Sequence, residues 1–245
     1  MTESQSPAML DVRVYRTDPR GNGRFEHYPV PGAPSQTVLD VVTYIQRALD
    51  PTLAYRFACR VGMCGSCAMT VNGKARWTCR THVKTVAPTG SLEIGPLANL
   101  PVIRDLVTDM RPFFDKWAQA QGAFVPTATR AEPFAQVAPE SPARRAVDAG
   151  IECIGCGVCY ASCDVVRWKP AFLGPAALNR AWTLINDVRD GGRGGRLAAV
   201  AGDAGCHACH TQQTCSERCP KHLAPTDAIT GLKRATAKAA LAGEL

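Results

Sequence analysis

Several features that mark other protein classes are missing from this sequence. No apolar run approaches the roughly 18 residues that a membrane-spanning helix needs, so we predict no transmembrane segment. The start of the chain, MTESQSPAML, has no basic stretch followed by an apolar one and no Arg-rich pattern, which predicts neither a secretory signal nor a transit peptide. No Gly-x-Gly-x-x-Gly motif follows a predicted strand, so we expect that this chain binds no flavin by itself.

The charge of the chain has only a mild bias. It carries 28 Lys and Arg residues against 21 Asp and Glu residues, a formal net charge of +7. The basic residues are scattered and form no stripe interleaved with aromatic residues, so we expect no nucleic-acid partner. A solvated basic face with some partner contact is the simpler interpretation.

The twelve cysteines are the strongest signal in the sequence, because none lies outside three groups of four. Without an export signal, disulfides are not expected, since the cytosol keeps thiols reduced. Clustered thiols in such a protein indicate metal binding. The groups are Cys59, Cys64, Cys67 and Cys79; Cys153, Cys156, Cys159 and Cys163; and Cys206, Cys209, Cys215 and Cys219.

Residues 1–105 are predicted to form a β-rich domain. Apolar and polar residues alternate over 10–15, which predicts a half-buried strand, and 24–30 follows a Gly-rich turn as its partner. A helix is expected from Val38, with Ser35 or Thr37 as its N-cap, until Pro51 stops it. Asn72-Gly73 predicts a tight hairpin turn, and 91–94 is expected to be the last strand. Two hairpins and one helix favour a small β-grasp domain like that of plant-type ferredoxins.

Residues 106–245 are predicted to form an all-α domain, which makes the chain α+β. Apolar residues from Leu106 to Trp117 indicate a helix that is bent or interrupted near Pro112. The stretch 122–146 lacks periodicity and is interpreted as an irregular connector. Apolar residues from Ala177 to Val188 fall on one helix face, and 225–241 is expected to be a terminal helix that begins with a proline.

The first cysteine group predicts a 2Fe–2S cluster. Its opening spacing, Cys59-x4-Cys64-x2-Cys67, is the plant-type ferredoxin pattern, and Cys79 completes four ligands. Gly62 and Gly65 allow the loop to turn its N–H groups towards the sulfurs. A structural zinc site is the alternative, but zinc prefers two well-separated pairs of ligands.

The other two groups predict a pair of clusters that exchange ligands. The run from Cys153 to Cys163 has the bacterial ferredoxin spacing, in which the fourth cysteine binds the other cluster. The third run reads CxxQxxCxxxCP where a ferredoxin reads CxxCxxCxxxCP, so Gln212 replaces one thiolate. We therefore predict a 4Fe–4S cluster and a 3Fe–4S cluster, the latter with a raised potential suited to a quinone. The predicted ligands are Cys153, Cys156, Cys159 and Cys219 for the former, and Cys163, Cys209 and Cys215 for the latter; Cys206 is either a fourth ligand there or a spare thiol.

The chain resembles the iron–sulfur subunits of the succinate dehydrogenase/fumarate reductase family over nearly its whole length. The stretches FACRVGMCGSCAMTVNG, CIGCGVCYASC and CSERCPKHLAPTDAI carry the resemblance. It implies an electron relay between an FAD-bearing subunit and a quinone at a membrane anchor, peripheral on the cytoplasmic side of the inner membrane. It also implies that Trp168, His210 and Lys233 lie near the quinone, beside the 3Fe–4S cluster. Asp164 departs from the family pattern, in which proline is frequent at that position.

The sequence leaves two alternatives to this function open. One is an iron–sulfur subunit that serves a related flavoenzyme acting on another small acid. The other is a zinc-stabilised binding module, which an excess of iron over zinc in the purified protein excludes.

Overall fold

The structure, a computed structural model, describes residues 9–245, with the side chain of Asp148 left undescribed. Contacts divide these residues into two compact units. The N-terminal unit extends to Asp109 and also includes Ile154–Val158. The C-terminal unit comprises Met110–Cys153 and Cys159–Leu245. The division at 105 stays a prediction of the sequence.

The N-terminal unit is built on a five-stranded mixed sheet. The five strands are β1 (Met9–Thr17), β2 (Gly23–Pro31), β3 (Ala68–Val71), β4 (Lys74–Trp77) and β5 (Ser91–Gly95). In the order β2-β1-β5-β3-β4, the neighbours β1 and β5 are parallel and the other pairs are antiparallel. Every second residue of β1 from Leu10 to Arg16 is buried, which confirms the predicted half-buried strand.

A helix covers one face of this sheet. Helix α1 (Val38–Tyr44) begins at Thr37, whose side chain accepts a hydrogen bond from the Asp40 N–H while the Asp40 carboxylate accepts one from the Thr37 N–H. It continues as a π-helical turn, Ile45–Leu49, and ends before Pro51 as expected. Val41 and Ile45 are buried against Val12, Leu92 and other strand residues. A short helix, α2 (Val83–Val86), follows β4.

Four predicted boundaries were wrong. Ser91–Gly95 is not the last strand, because β6 (Val102–Arg104) and β7 (Val107–Thr108) form a small separate antiparallel sheet. The helix expected from Leu106 begins only at Arg111, since Val107 and Thr108 pair with β6 and Pro112 favours the first helical turn. The connector ends in a helix from Pro142, and Val188 lies beyond the helix on which it was expected.

The C-terminal unit consists of helices without a sheet among its described residues. The long helices α7 (Pro175–Ile185) and α10 (Pro225–Leu241) pack closely because Gly231 leaves room for the Trp182 ring. A side-chain carbon at position 231 would lie only 2.5 Å from that ring. The remaining helices are α3 (Arg111–Gln119), α4 (Pro142–Val147), α5 (Val158–Ala161), α6 (Asp164–Trp168), α8 (Arg193–Ala201) and α9 (Thr214–Glu217).

A buried ion pair fastens the irregular connector to this helical unit. Arg196 is fully buried and binds both carboxylate oxygens of Asp190. Its guanidinium also donates to the carbonyls of Gln121 and Ala123, at 2.8 and 2.7 Å. Asp190 in turn accepts the Val125 N–H at 3.0 Å. The connector is therefore irregular in shape but fixed by specific hydrogen bonds.

The α+β fold class predicted from the sequence is confirmed, with a sheet-based first unit and a helical second unit. Within residues 9–245, no helix combines the length and the apolar character needed to cross a membrane.

Candidate metal centres

The first cysteine group lies on one loop and one hairpin of the N-terminal unit. Cys59 and Cys64 lie in the loop before β3, Cys67 directly precedes β3, and Cys79 lies in a 3-10 turn after β4. The Cys59 sulfur accepts hydrogen bonds from the backbone N–H groups of Met63 and Cys64, both at 3.3 Å. The Cys59 N–H donates to the Cys64 sulfur at 3.5 Å. Backbone donors aimed at sulfur are what a negatively charged cluster ligand requires.

Glycines allow this loop to fold. Gly62 and Gly65 have φ angles of +74° and +71°, in the left-handed region that glycine adopts without steric cost. Gly62 also lies close beneath Trp77 and Arg80, where an added side-chain carbon would have contacts of 3.1 to 3.3 Å. The glycines singled out in the sequence therefore do serve the wrapping of the loop.

The four thiols of this group influence one another. A hydrogen bond from the Ser66 side chain, followed by one from the Cys59 N–H, lowers the pKa of Cys64 to about 6. Burial and the neighbouring Cys67 thiol raise the pKa of Cys79 to about 11. The lowered pKa favours the thiolate form of Cys64, whereas Cys79 needs a nearby cation to lose its proton. This donor set fits a 2Fe–2S cluster.

The second run contains residues that belong to different units along the chain. Cys153 ends a 3-10 turn, Asp148–Glu152, and Cys159 lies on α5. Cys156 lies in the Ile154–Val158 loop, which belongs to the N-terminal unit and packs against Gly65. Gly155 and Gly157, which flank Cys156, both have positive φ angles, so the loop turns sharply on each side of the thiol.

One thiol of the second group and two of the third line a cavity in the C-terminal unit, the third cavity. Cys163, Cys209 and Cys215 all line it, together with Gln212 and Thr226. Burial raises the pKa of both Cys163 and Cys215, so a cation is needed to hold these groups as thiolates. The Thr211 N–H donates to the Cys209 sulfur at 3.4 Å, and the Val165 and Val166 N–H groups at the start of α6 donate to Cys163. This cavity fits a cluster with three thiolate ligands.

Cys206 is placed differently from the other cysteines. It is fully buried, and its sulfur lies 3.7 Å from the Thr236 hydroxyl on α10. It is not among the residues that line the cavity of Cys163, Cys209 and Cys215. Its surroundings favour the spare-thiol interpretation. Among the described residues, no three Cys, His, Asp or Glu side chains come together as tightly as the ligands of one metal ion do.

Comparisons with known proteins agree with this architecture. Residues 11–115 match a family profile described as a 2Fe-2S iron-sulfur cluster binding domain, and residues 150–223 match one described as a 4Fe-4S dicluster domain. The fumarate reductase iron-sulfur subunit of Haemophilus influenzae is 34% identical to the chain, over 96% of this chain and 95% of that protein. The chain belongs to the family of fumarate reductase and succinate dehydrogenase iron–sulfur subunits.

Other relatives in this family support the same assignment. The fumarate reductase iron-sulfur subunit of Mycobacterium tuberculosis is 36% identical over 95% of the chain and 94% of its own length. The succinate dehydrogenase iron-sulfur subunit of Paracoccus denitrificans is 35% identical over 90% and 85%. A chain of the Mycobacterium smegmatis Sdh1 complex in the apo form superposes with a TM-score of 0.84 and 29% identity, covering 96% of this chain and 97% of that one. The predicted electron-transfer function and the 2Fe–2S and 4Fe–4S cofactors are therefore confirmed.

Three further residues of this iron–sulfur subunit were predicted to lie at a quinone. Trp168 ends α6, the short helix that Cys163 begins, and is 66% exposed. His210 is exposed and lines the third cavity beside Cys209. The Lys233 ammonium donates to the Cys209 carbonyl at 2.8 Å. The structure thus places all three on segments that also carry or contact residues of the third cavity.

Two residues of this region were missed by the sequence analysis. Thr226 lines the third cavity with its hydroxyl 3.4 Å from the Cys215 sulfur, and Ser216 is hydrogen-bonded to Thr226. A threonine in the first turn of a helix is usually interpreted as an aid to helix initiation, so no spacing rule marks it as a neighbour of a cluster.

Proposed function

We propose that this subunit relays electrons between an FAD-bearing flavoprotein subunit and a membrane quinone through three clusters. The observation that carries the proposal is the third cavity, where three thiols converge and Gln212 takes the place of a fourth. Iron–sulfur clusters, when bound, accept and release single electrons. The same relay serves succinate oxidation and fumarate reduction, whose dicarboxylate site lies on the flavoprotein subunit.

The chain itself supplies ligands, hydrogen-bond donors and exclusion of water. Cys67, Cys79, Cys159 and Cys215 are buried, so each of the three centres has at least one ligand that is shielded from solvent. The proposed ligands are Cys59, Cys64, Cys67 and Cys79 for the 2Fe–2S cluster, Cys153, Cys156, Cys159 and Cys219 for the 4Fe–4S cluster, and Cys163, Cys209 and Cys215 for the 3Fe–4S cluster.

The flavoprotein subunit is proposed to bind at the loop of the first cluster. Phe57, Val61 and Met63 lie within or next to this loop and expose 39%, 60% and 62% of their surface. Phe57 stacks on Tyr55, and the Arg60 guanidinium lies 4.7 Å from its ring centre. Exposed apolar groups beside a cofactor loop are typical of a protein interface. Such an interface shortens the distance to the electron donor or acceptor.

The quinone is proposed to bind at the third cluster, in contact with the membrane anchor that holds this subunit at the cytoplasmic face. The indole N–H of Trp168 and the imidazole of His210 can donate hydrogen bonds to a quinone carbonyl. Lys233 supports the site from the cluster side, since its ammonium holds the Cys209 loop. A quinone accepts electrons most readily from a high-potential cluster, and a missing thiolate charge raises the potential.

Trp168→Phe tests the quinone site, because it removes the N–H and keeps an aromatic ring. In the intact complex from detergent-solubilised membranes, quinone reduction by succinate should fall about tenfold, the effect of one lost hydrogen bond of about 1.4 kcal/mol. Reduction of an artificial dye by succinate should stay unchanged. Equal loss in both assays would show a structural role for Trp168 and would contradict the proposal.

Two matched variants serve as controls. Trp182→Phe makes the same change in the same unit, but the Trp182 N–H donates to the Ala146 carbonyl, so this variant should affect both assays equally. Lys233→Met removes the donor to Cys209, whereas Lys238→Met alters an exposed lysine on the same helix. Only the first of these two should slow quinone reduction selectively. A selective effect of Lys238→Met would refute the placement of the site.

A further inference from the structure

We propose that Thr226 raises the reduction potential of the third cluster by donating its hydroxyl proton to the Cys215 sulfur. The inference rests on the proposed function, which assigns Cys215 as a ligand of that cluster. The Thr226 oxygen lies 3.4 Å from this sulfur, within hydrogen-bond distance for a sulfur acceptor. Thr226 is 6% exposed and lines the cavity, so water does not compete well for its proton.

The hydrogen bonds around Thr226 determine which way its proton points. The Thr226 N–H donates to the Ser216 oxygen at 3.2 Å. The Ser216 hydroxyl therefore directs its own proton to the Thr226 oxygen, at 2.9 Å. Because Thr226 already accepts this proton, its own is free to point to Cys215. A cluster-bound Cys215 is a thiolate and can only accept.

Both residues are held where this chain of hydrogen bonds needs them. Ser216 follows Cys215 directly on α9, and Thr226 is the second residue of α10, after Pro225. The contact therefore joins two helices through residues that are ten positions apart in sequence. Ser216 orients Thr226, and its own side chain and N–H also interact with Cys215, but less strongly than the Thr226 hydroxyl does.

The effect on the potential has a definite sign. Reduction adds negative charge to a cluster, and part of that charge resides on the ligand sulfurs. A hydrogen bond to a sulfur stabilises the more negative, reduced form and raises the potential. Such hydrogen bonds to charged groups are stronger than those between neutral groups. Thr226 and the missing thiolate at Gln212 thus act in the same direction, towards a cluster that accepts electrons readily.

The test is a redox titration of the intact complex, monitored by the paramagnetic signal of the oxidised 3Fe–4S cluster. Thr226→Val keeps the shape of the side chain and removes the hydroxyl. We expect the equilibrium for reduction to become about tenfold less favourable, a fall of about 59 mV for a one-electron couple. Thr226→Ser restores a hydroxyl and should return the potential close to that of the unmodified complex. An unchanged potential in Thr226→Val would overturn the inference.

Two further measurements separate the possible failures. Ser216→Ala leaves Thr226 in place and should lower the potential by less than Thr226→Val does, so it carries the test if Thr226→Val does not assemble. A larger fall with Ser216→Ala, or none, would overturn the proposed hydrogen-bond order. Double resonance in H2O and D2O should show an exchangeable proton coupled to the cluster that Thr226→Val loses. If the unmodified complex lacks the 3Fe–4S signal altogether, the ligand assignment is wrong, which is distinct from a failure of Thr226 alone.

Discussion

Replacing Gly65 with alanine should displace Cys156, a proposed ligand of the 4Fe–4S cluster, although no proposed ligand is itself replaced. Gly65 lies in the first cluster loop, and a side-chain carbon there would lie 2.5 Å from the Cys156 Cβ and 2.8 Å from its Cα. Carbon atoms pack best at about 3.5 to 4.0 Å, so the Cys156 backbone must move by about 1 Å. Backbone cannot yield as the end of a flexible side chain can, so we expect the Cys156 loop to shift.

Gly73→Ala is the matched control for this prediction. Its φ angle of +73° is nearly the same as the +71° of Gly65, so both variants have the same left-handed strain of about 1 to 2 kcal/mol. Nothing lies within 4 Å of the added carbon at Gly73. Any difference between the two variants therefore measures the contact with Cys156 and not the strain.

The assay is paramagnetic resonance of the chemically reduced complex, combined with its iron content. Gly65→Ala should retain the 2Fe–2S signal, because the four proposed ligands of that cluster stay in place, but should lose most of the 4Fe–4S signal and the corresponding iron. Gly73→Ala should retain both signals. If both variants show the same spectrum, the contact between Gly65 and Cys156 does not position the ligand, and the reasoning is refuted.

Three other predictions follow from the same structure. Gln212→Cys supplies a thiolate at the ferredoxin position, so the third cluster should gain an iron, lose its oxidised 3Fe–4S signal and fall in potential, whereas Cys206→Ser should leave that signal intact; loss of the signal in Cys206→Ser would make Cys206 a ligand. Asp190→Asn leaves the Arg196 charge buried and unpaired, at a cost of about 3 to 5 kcal/mol in unfolding free energy, measurable as a lower melting temperature. Burial opposes the charge of Asp190, but Arg196 and two backbone N–H groups outweigh it and lower its pKa. Its stabilisation is therefore present above the unfolded value of about 3.9 and lost as pH falls through the folded pKa, so Asp190→Asn should flatten this acid-dependent loss. A fragment of residues 1–105 should bind a 2Fe–2S cluster by itself, and an unfolded fragment after anaerobic reconstitution would contradict this.

Local signals predicted much of this fold, because the interactions behind them are local. Asn72 and Gly73 have φ angles of +47° and +73°, the conformation that their hairpin turn requires, and α10 has the predicted bounds of 225–241. Strands β6 and β7 were missed because three residues and two residues are too short to show an alternating pattern. Their pairing depends on neighbours in space, which periodicity does not encode.

The residues of the candidate sites likewise differ in whether the sequence alone could predict them. Cys59, Cys64 and Cys67 lie close together in one loop with a known ligand spacing, so the sequence alone predicted the first group as cluster ligands. The contact of Thr226 with Cys215 depends on where α10 packs, and no motif encodes that packing. The ion pair of Arg16 with Asp50 and Asp105 was likewise hidden, since it joins residues 34 and 89 positions apart along the chain.

The Ile154–Val158 loop has a consequence for how the protein is made. The N-terminal unit is not continuous in sequence, because Met110–Cys153 of the helical unit lies between Asp109 and this loop. On the ribosome, the sheet and the first four cysteines emerge early, yet the unit is complete only after residue 158 has left the exit tunnel. Domains generally fold as they are synthesised, N-terminal first. Insertion of the first cluster can thus begin during translation, whereas the Cys156 loop must dock onto a surface that has already formed.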